Sequence, residues 1–163
     1  LTLIPCSIYL LNDTGIQARI KELMFLKKPE YIHHTENFVK EALYLRSITR
    51  LDAKIAIVWA GVLSYFTDRN MVDLLGKNDK VIAKQQWNKS SSGFLPGHVK
   101  WDYAYSIGKL KPDIVSQLWQ APETAHVFLD KDYTPFTHGE FTHYLRKNSS
   151  AILIQHDPQF FGE

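Results

Sequence analysis

The stretch that decides the fold runs from Lys54 to Trp119: KIAIVWAGVLSYFTDRNMVDLLGKNDKVIAKQQWNKSSSGFLPGHVKWDYAYSIGKLKPDIVSQLW. Two apolar runs close its ends, residues 55–59 and 114–119. The first reads IAIVW without polar interruption, which fits a strand covered on both faces, as in parallel or mixed sheets with helices on each side. Ala60 and Gly61 end it. In open α/β sheets ligands gather beyond the carboxyl ends of strands, where small residues let the backbone approach. Between the two runs lies more Asp, Asn, Lys, His and Gly than a plain connection needs.

Upstream, the pattern is helical. Thr14 and Gln17 fit a capping box, and Ile16, Ile20, Leu23 and Met24 recur at helical spacing until Pro29 follows. That predicts a helix over 14–26. A second helix is expected from near Thr35, with Phe38, Ala42, Leu45 and Ile48 inward and Lys40, Glu41 and Arg46 toward water. Inside the central stretch, 72–75 reads as a second strand and 76–78 as a turn. Asp79 is placed to cap a helix over 80–86, and a helix over 98–110 follows Pro96-Gly97 and stops before Pro112. Residues 113–119 read as a strand. Later strands are expected at 127–129 and 151–155, with a short helix over 138–147 between them. The predicted class is α/β. One domain covers 1–163, with a helical lead-in over 1–52 and a core over 53–163. Its central sheet is mixed or mostly parallel, flanked by helices, and preceded by two N-terminal helices.

Composition narrows the function. The chain has 163 residues, 45% of them hydrophobic and 22% charged, so it can bury a substantial core and is not of disordered type. A net charge of +2, with Lys and Arg scattered, gives no footprint for nucleic acid. The single cysteine, Cys6, rules out an internal disulfide and a cysteine metal cluster. The longest uncharged run, 55–67, falls short of the roughly 20 residues a membrane-spanning helix needs. The first residue is Leu1 rather than Met, as expected of a piece of a longer or processed protein. Four Trp within a 13% aromatic content point to a generous aromatic core or to a site with stacking surfaces.

The candidate chemistry is polar rather than nucleophilic. On the expected helix, His98 and Asp102 are four apart and share a face. That spacing can place two metal ligands; a third and fourth would have to come from Asp73, Asp79 or elsewhere, nothing in the sequence identifies them, and a His–Asp hydrogen bond accounts for the pair more simply. No metal and no cofactor are expected. Asp73, Lys77, Asn78 and Asp79 make a dense polar turn after a strand. Such groups can hydrogen-bond sugar hydroxyls, and Lys77 or Lys100 can reach a phosphate; capping and solvation are the plainer roles. Ser106 with His98 lacks any nucleophile elbow. The remaining histidines, at 33, 34, 126, 138, 143 and 156, show no ligand spacing and read as surface or packing residues.

The pattern WAG–x–LSYF–x–DR–x–x–VDLLGKND, then LPGHVKWDYAYSIGKLKPD and VSQLW, resembles the extracytoplasmic C-terminal region of bacterial multi-spanning membrane glycosyltransferases. These are the polyprenyl-phosphate-sugar-dependent type, which includes dolichyl-phosphate-mannose mannosyltransferase and arabinofuranosyltransferase relatives. The likeness covers residues 54–119 and fades beyond Trp119. It implies a periplasmic domain of a bacterial inner-membrane protein, working beside the membrane-embedded part of the same chain on a glycan or lipid-linked sugar. The catalytic aspartate of that family lies near the first membrane helix, so no catalytic residue is expected here. By the same analogy the positions bearing on substrate are Asp73, Asn78, Asp79, His98, Lys100 and Asp102. The competing expectation is a non-catalytic structural or protein-interaction domain of a membrane protein.

Overall fold

A computed structural model describes residues 14–88 and 95–154. The chain divides into two compact units at Phe38–Val39. Helix α1 spans Thr14–Leu23 and α2 spans Glu30–Ser47, so the division falls inside α2. The first helix ends three residues sooner than its periodicity predicts, because Phe25 turns left-handed at φ 57°. The second starts directly after Pro29, ahead of Thr35. Proline's missing N–H costs nothing at a helix start.

The second unit is α/β, as predicted. Its strands are β1 (Lys54–Ile57), β2 (Asn70–Asp73), β3 (Ile114–Val115), β4 (Tyr133–His138) and β5 (Phe141–Arg146). They lie in the order β2-β1-β3-β5-β4. Strand β1 pairs parallel with β2 and with β3, while β5 runs antiparallel to β3 and to β4. The two apolar runs are therefore neighbours in one mixed sheet. The flanking helices are α3 (Val62–Thr67), α4 (Lys80–Ala83), a π-helix over Ala104–Lys109, and α5 (Pro122–Asp132).

Strand β1 is buried on both faces: Ile55, Ala56 and Ile57 are wholly inaccessible and Val58 nearly so. Ala56 and Val58 join Trp101, Tyr103, Ile107, Val115, Ala125, Leu129 and Tyr133 in one apolar layer beneath the π-helix and α5. On the other face Ala42 and Leu45 of α2 are fully buried, as are Ile55, Ile57, Ile114 and Leu145. Gly108 lets the π-helix approach α5, since a Cβ there would fall 2.8 Å from the Phe128 ring.

Several local expectations are corrected. Residues 138–147 form a hairpin, not a helix: Phe141, His143 and Leu145 alternate with period 2 on the α2 side, and Gly139 takes φ 59° at the turn. Residues 127–129 lie in α5, which Pro122 opens and whose buried Ala125 and Leu129 sit four apart. A short apolar run does not by itself distinguish helix from strand. Residues 98–102 are not helical. Asp102 accepts the Tyr105 N–H at 2.9 Å and so stands ahead of the helix rather than inside it. Of 151–155 only Ile152 pairs, in a bridge to Thr49; Gln155 lies outside the described residues.

Glu41 does not face water. It is 2% exposed, and its carboxylate bridges His143 Nε2 and His138 Nδ1 (2.9 Å) across β5 and β4. His138 also stacks on Tyr44 at 3.4 Å. An ionised carboxylate only accepts, so each of these ring nitrogens carries the proton. Burial alone raises the Glu41 pKa, but the hydrogen bonds from His143 and then His138, with their charges, bring it below the usual value of 4.5. Asp113 shows the same balance. Burial opposes its charge, while Ser149, the Lys54 N–H and Arg146 together hold its pKa below the usual 3.8. A carboxylate with a lowered folded pKa contributes stability above its unfolded pKa and loses it as pH falls through the folded value. The urea midpoint should therefore decline as pH is lowered through 4.5 and 3.8. The Glu41→Gln chain should show a shallower decline, and a wild-type midpoint flat from pH 6 to 3 would contradict the bridge. Glu41→Ala, which leaves buried His143 without its acceptor, should cost about 3–5 kcal/mol.

Candidate functional site

The carboxyl ends of β1 and β3 carry an aromatic cluster. The β3 ladder is only two residues long, yet the pairing continues past it by other bonds. The Ser116 N–H donates to the Ala56 carbonyl at 2.9 Å. The Gln117 carboxamide oxygen then accepts the Val58 and Trp59 N–H groups at 3.0 and 3.1 Å. This side chain replaces a missing strand and fixes where Trp59 leaves the sheet. Trp59 is 43% exposed. Trp119, at the end of the second run, is fixed from the other side: the Tyr103 hydroxyl accepts its N–H at 2.8 Å and donates to the Gln120 carbonyl at 3.1 Å. Burial first, helped by nearby Glu123 and offset in part by the Trp119 N–H, pushes the Tyr103 phenol up to about 12.

His98 lies against both indoles. Its ring is 5.1 Å from Trp59 and 5.2 Å from Trp119, and the two indoles meet edge-on at 5.8 Å. The Trp119 Nε1–H donates to the His98 carbonyl at 3.0 Å. His98 Nδ1 is 2.9 Å from the Pro96 carbonyl, which only accepts, and Nε2 is 3.0 Å from the Lys77 ammonium, which only donates. Those partners assign the proton to Nδ1. The Lys77 ammonium also lies 5.7 Å from the Trp59 ring centre. Lys77 is set by the turn before it. Gly76 takes φ 70°, and a Cβ there would come within 2.7 Å of Ile82 and 2.8 Å of the Ala83 nitrogen, so only glycine fits. A 310 Å³ hollow lined by Leu75, Lys77, Trp87, Pro96 and Lys100 adjoins this turn.

The six predicted positions divide. His98 sits in the aromatic cluster. Asp73 is 6% exposed, and its carboxylate accepts the Leu75 and Asn78 N–H groups, holding the Gly76 turn. Asn78 contributes its backbone there and is exposed. Asp79 caps α4 through Val81 and Ile82, and accepts the Tyr105 hydroxyl at 3.3 Å. Asp102 takes the Tyr105 N–H and the Gln85 amide. The Lys100 ammonium holds the Ala83 carbonyl. His98 and Asp102 thus turn to different neighbours, because no helix joins them. Ser106 is buried, its hydroxyl on the Asp102 carbonyl. Trp59, Lys77, Gln117 and Trp119 complete the cluster; of these the sequence points only to Lys77, as a phosphate contact in the polar turn. The signal for the two tryptophans was present: each apolar run ends in one.

The cluster offers the exposed Trp59 indole, the partly buried Trp119 indole and an ammonium at the carboxyl end of parallel strands. That combination can stack on the C–H face of a sugar and donate to its oxygens. Among the described residues, no three or more His, Cys, Asp or Glu side chains are placed to hold a metal ion, and no helix is long and apolar enough to cross a membrane.

A family sequence profile spans residues 29–156, including the cluster, the Glu41 bridge and the whole sheet. The chain belongs to that family, the domain of unknown function DUF8728. Comparison with curated proteins and with solved structures gives no match. In this DUF8728 chain the Gln117 clamp makes a direct prediction. Gln117→Leu leaves the buried Val58 N–H without an acceptor and should cost about 1–3 kcal/mol, with a shift in tryptophan emission. An unchanged melting temperature and spectrum would show that the clamp does not set Trp59.

Proposed function

We propose that this chain is the extracytoplasmic C-terminal part of a bacterial multi-spanning membrane glycosyltransferase, one that moves a sugar from a polyprenyl-phosphate donor to a cell-envelope glycan, lipid or protein. In this reading the chain is not catalytic alone. Its Trp59–His98–Trp119 platform, with Lys77, holds a sugar of the acceptor or donor next to the membrane-embedded catalytic part. The observation that carries the proposal is the platform itself: the exposed Trp59 indole, set edge-on to the partly buried Trp119 indole at the carboxyl ends of the parallel strands β1 and β3, where open α/β sheets bind ligands. The resemblance over 54–119 supports it, since those residues build the platform. Placement at a membrane surface is supported by the turn after α1. There Met24, Phe25 and Leu26 are 61%, 90% and 72% exposed, beside Leu23 at the end of α1 (79%), and are followed by Lys27 and Lys28. Bulky apolar side chains beside lysines suit a bilayer interface.

A second reading is favoured by a different observation. The carboxylates of Asp73, Asp79 and Asp102 and the Lys100 ammonium are all occupied by hydrogen bonds within the fold. For those residues bracing is the better role, and a purely structural domain would need nothing more.

The readings separate in the full-length enzyme. The reading frame should continue upstream of Leu1 through several membrane spans; a start codon near Leu1 removes the glycosyltransferase proposal. In membranes charged with a panel of polyprenyl-phosphate hexoses and pentoses, Trp59→Ala and Lys77→Ala should each lower transfer at least about tenfold, the loss of one good contact. Each should leave the melting temperature close to that of the wild type. Full transfer in both variants would leave the structural reading.

A further inference from the structure

At the opposite end of the sheet, by the amino end of β3, a 320 Å³ pocket is lined by Lys111, Lys131, Asp132, Tyr133, Arg146, Lys147 and Asn148. We infer that this pocket is a second ligand site, built for a phosphate group, and independent of the aromatic platform.

The argument begins with charge. Four cations from three separate places in the chain converge: Lys111 after the π-helix, Lys131 in the last turn of α5, and Arg146 with Lys147 at the end of β5. Like charges brought together repel, so a fold that assembles them without an opposing group leaves a demand for an anion. The opposing groups inside the fold are few. Asp113 is buried beneath Arg146 and is taken up by Arg146, Ser149 and the Lys54 N–H. Asp132 is the one carboxylate in the pocket wall. Among the described residues Lys111 and Lys131 enter no ion pair, and both are exposed.

The frame is rigid where it must be. The Lys147 N–H donates to the Asp132 carbonyl at 2.9 Å, and the Tyr133 hydroxyl donates to the Pro112 carbonyl at 2.8 Å. The carboxyl end of α5 would repel an anion through its free carbonyls. The Lys147 ammonium covers two of them, Asp130 at 3.2 Å and Lys131 at 2.9 Å. Arg146 is anchored by Asp113 yet keeps about a third of its side chain exposed (34%). An anchored guanidinium beside two unpaired ammonium groups is a donor set matched to the oxygens of a phosphomonoester or phosphodiester. The phosphate can belong to a soluble molecule or to a lipid headgroup.

Titration of the whole chain with inorganic phosphate, followed by calorimetry and by backbone amide shifts, tests this. Saturable binding should move the amides of 111, 131–133 and 146–148. In Lys111→Ala/Lys131→Ala, whose changed side chains are exposed, affinity should fall at least about tenfold. The control Lys40→Ala/Lys84→Ala removes the same charge at two exposed positions elsewhere and should stay within about twofold. Retention on phosphatidylglycerol vesicles but not on phosphatidylcholine, lost in the pocket variant and competed by inorganic phosphate, would identify a headgroup. Phosphate binding without such retention would identify a soluble ligand. No saturable binding in either arm, or an equal loss in the control, overturns the inference.

Discussion

Strand β1, held between β2 and β3, is four residues long and buried on both faces. Its backbone groups must therefore find partners at both ends without help from water. The segment around β3 supplies them. At the amino end the Asp113 carboxylate takes the Lys54 N–H at 2.8 Å, and the Asp113 N–H donates to the Lys54 carbonyl at 2.7 Å. At the carboxyl end Gln117 accepts from Val58 and Trp59. Two polar side chains, four apart, thus stretch a two-residue ladder over the length of β1. What faces outward at each end follows from them: Arg146 and its basic neighbours at one, and the indoles at the other.

The two ends use this constraint differently. Asp113 is 4% exposed, and its bonds also tie β5 through Arg146 and Ser149, so its role is to fix strand register. Gln117 is partly open, and what it holds in place is a ring that solvent reaches. A buried acid that binds backbone adds stability; a partly open amide that places an exposed indole adds a surface. The Glu41 bridge plays a third part, locking the hairpin β4–β5 under α2 through two imidazoles. Replacing that bridge with apolar side chains of similar volume need not lower stability, whereas cutting one partner away must.

Much of the fold was legible in the sequence, and the failures have physical causes. IAIVW fits a strand buried on both sides, as residues 55–57 are, and the long connection to residues 114–115 suits the parallel pairing found there. Asp79 as a cap was legible because capping is local. The hairpin at 141–146 was misread because its alternation places a histidine at the buried position, and a buried histidine is recognised only with its partner, Glu41, 102 residues away. The shared His98–Asp102 face failed for a related reason. A helix start was assigned to Pro96-Gly97 when Asp102 was the residue with the capping carboxylate. Of the site, His98 was legible as polar chemistry in the right stretch. Lys77 and Trp119 reach it only through the tertiary fold, by contacts 21 residues away in each direction.

The central claim is that the indoles beyond β1 and β3 form a surface that takes a sugar. Indole N–H resonances of the ¹⁵N-labelled chain report on it directly, because Trp59 and Trp119 lie in the cluster while Trp101 is buried beneath the sheet at 7% exposure. Titration with a panel of glycosyl phosphates of hexoses and pentoses should move the Trp59 and Trp119 signals saturably with at least one member, and leave Trp101 in place. Signals of Trp59 and Trp119 that stay fixed across the whole panel, or that move no more than Trp101, would contradict the claim.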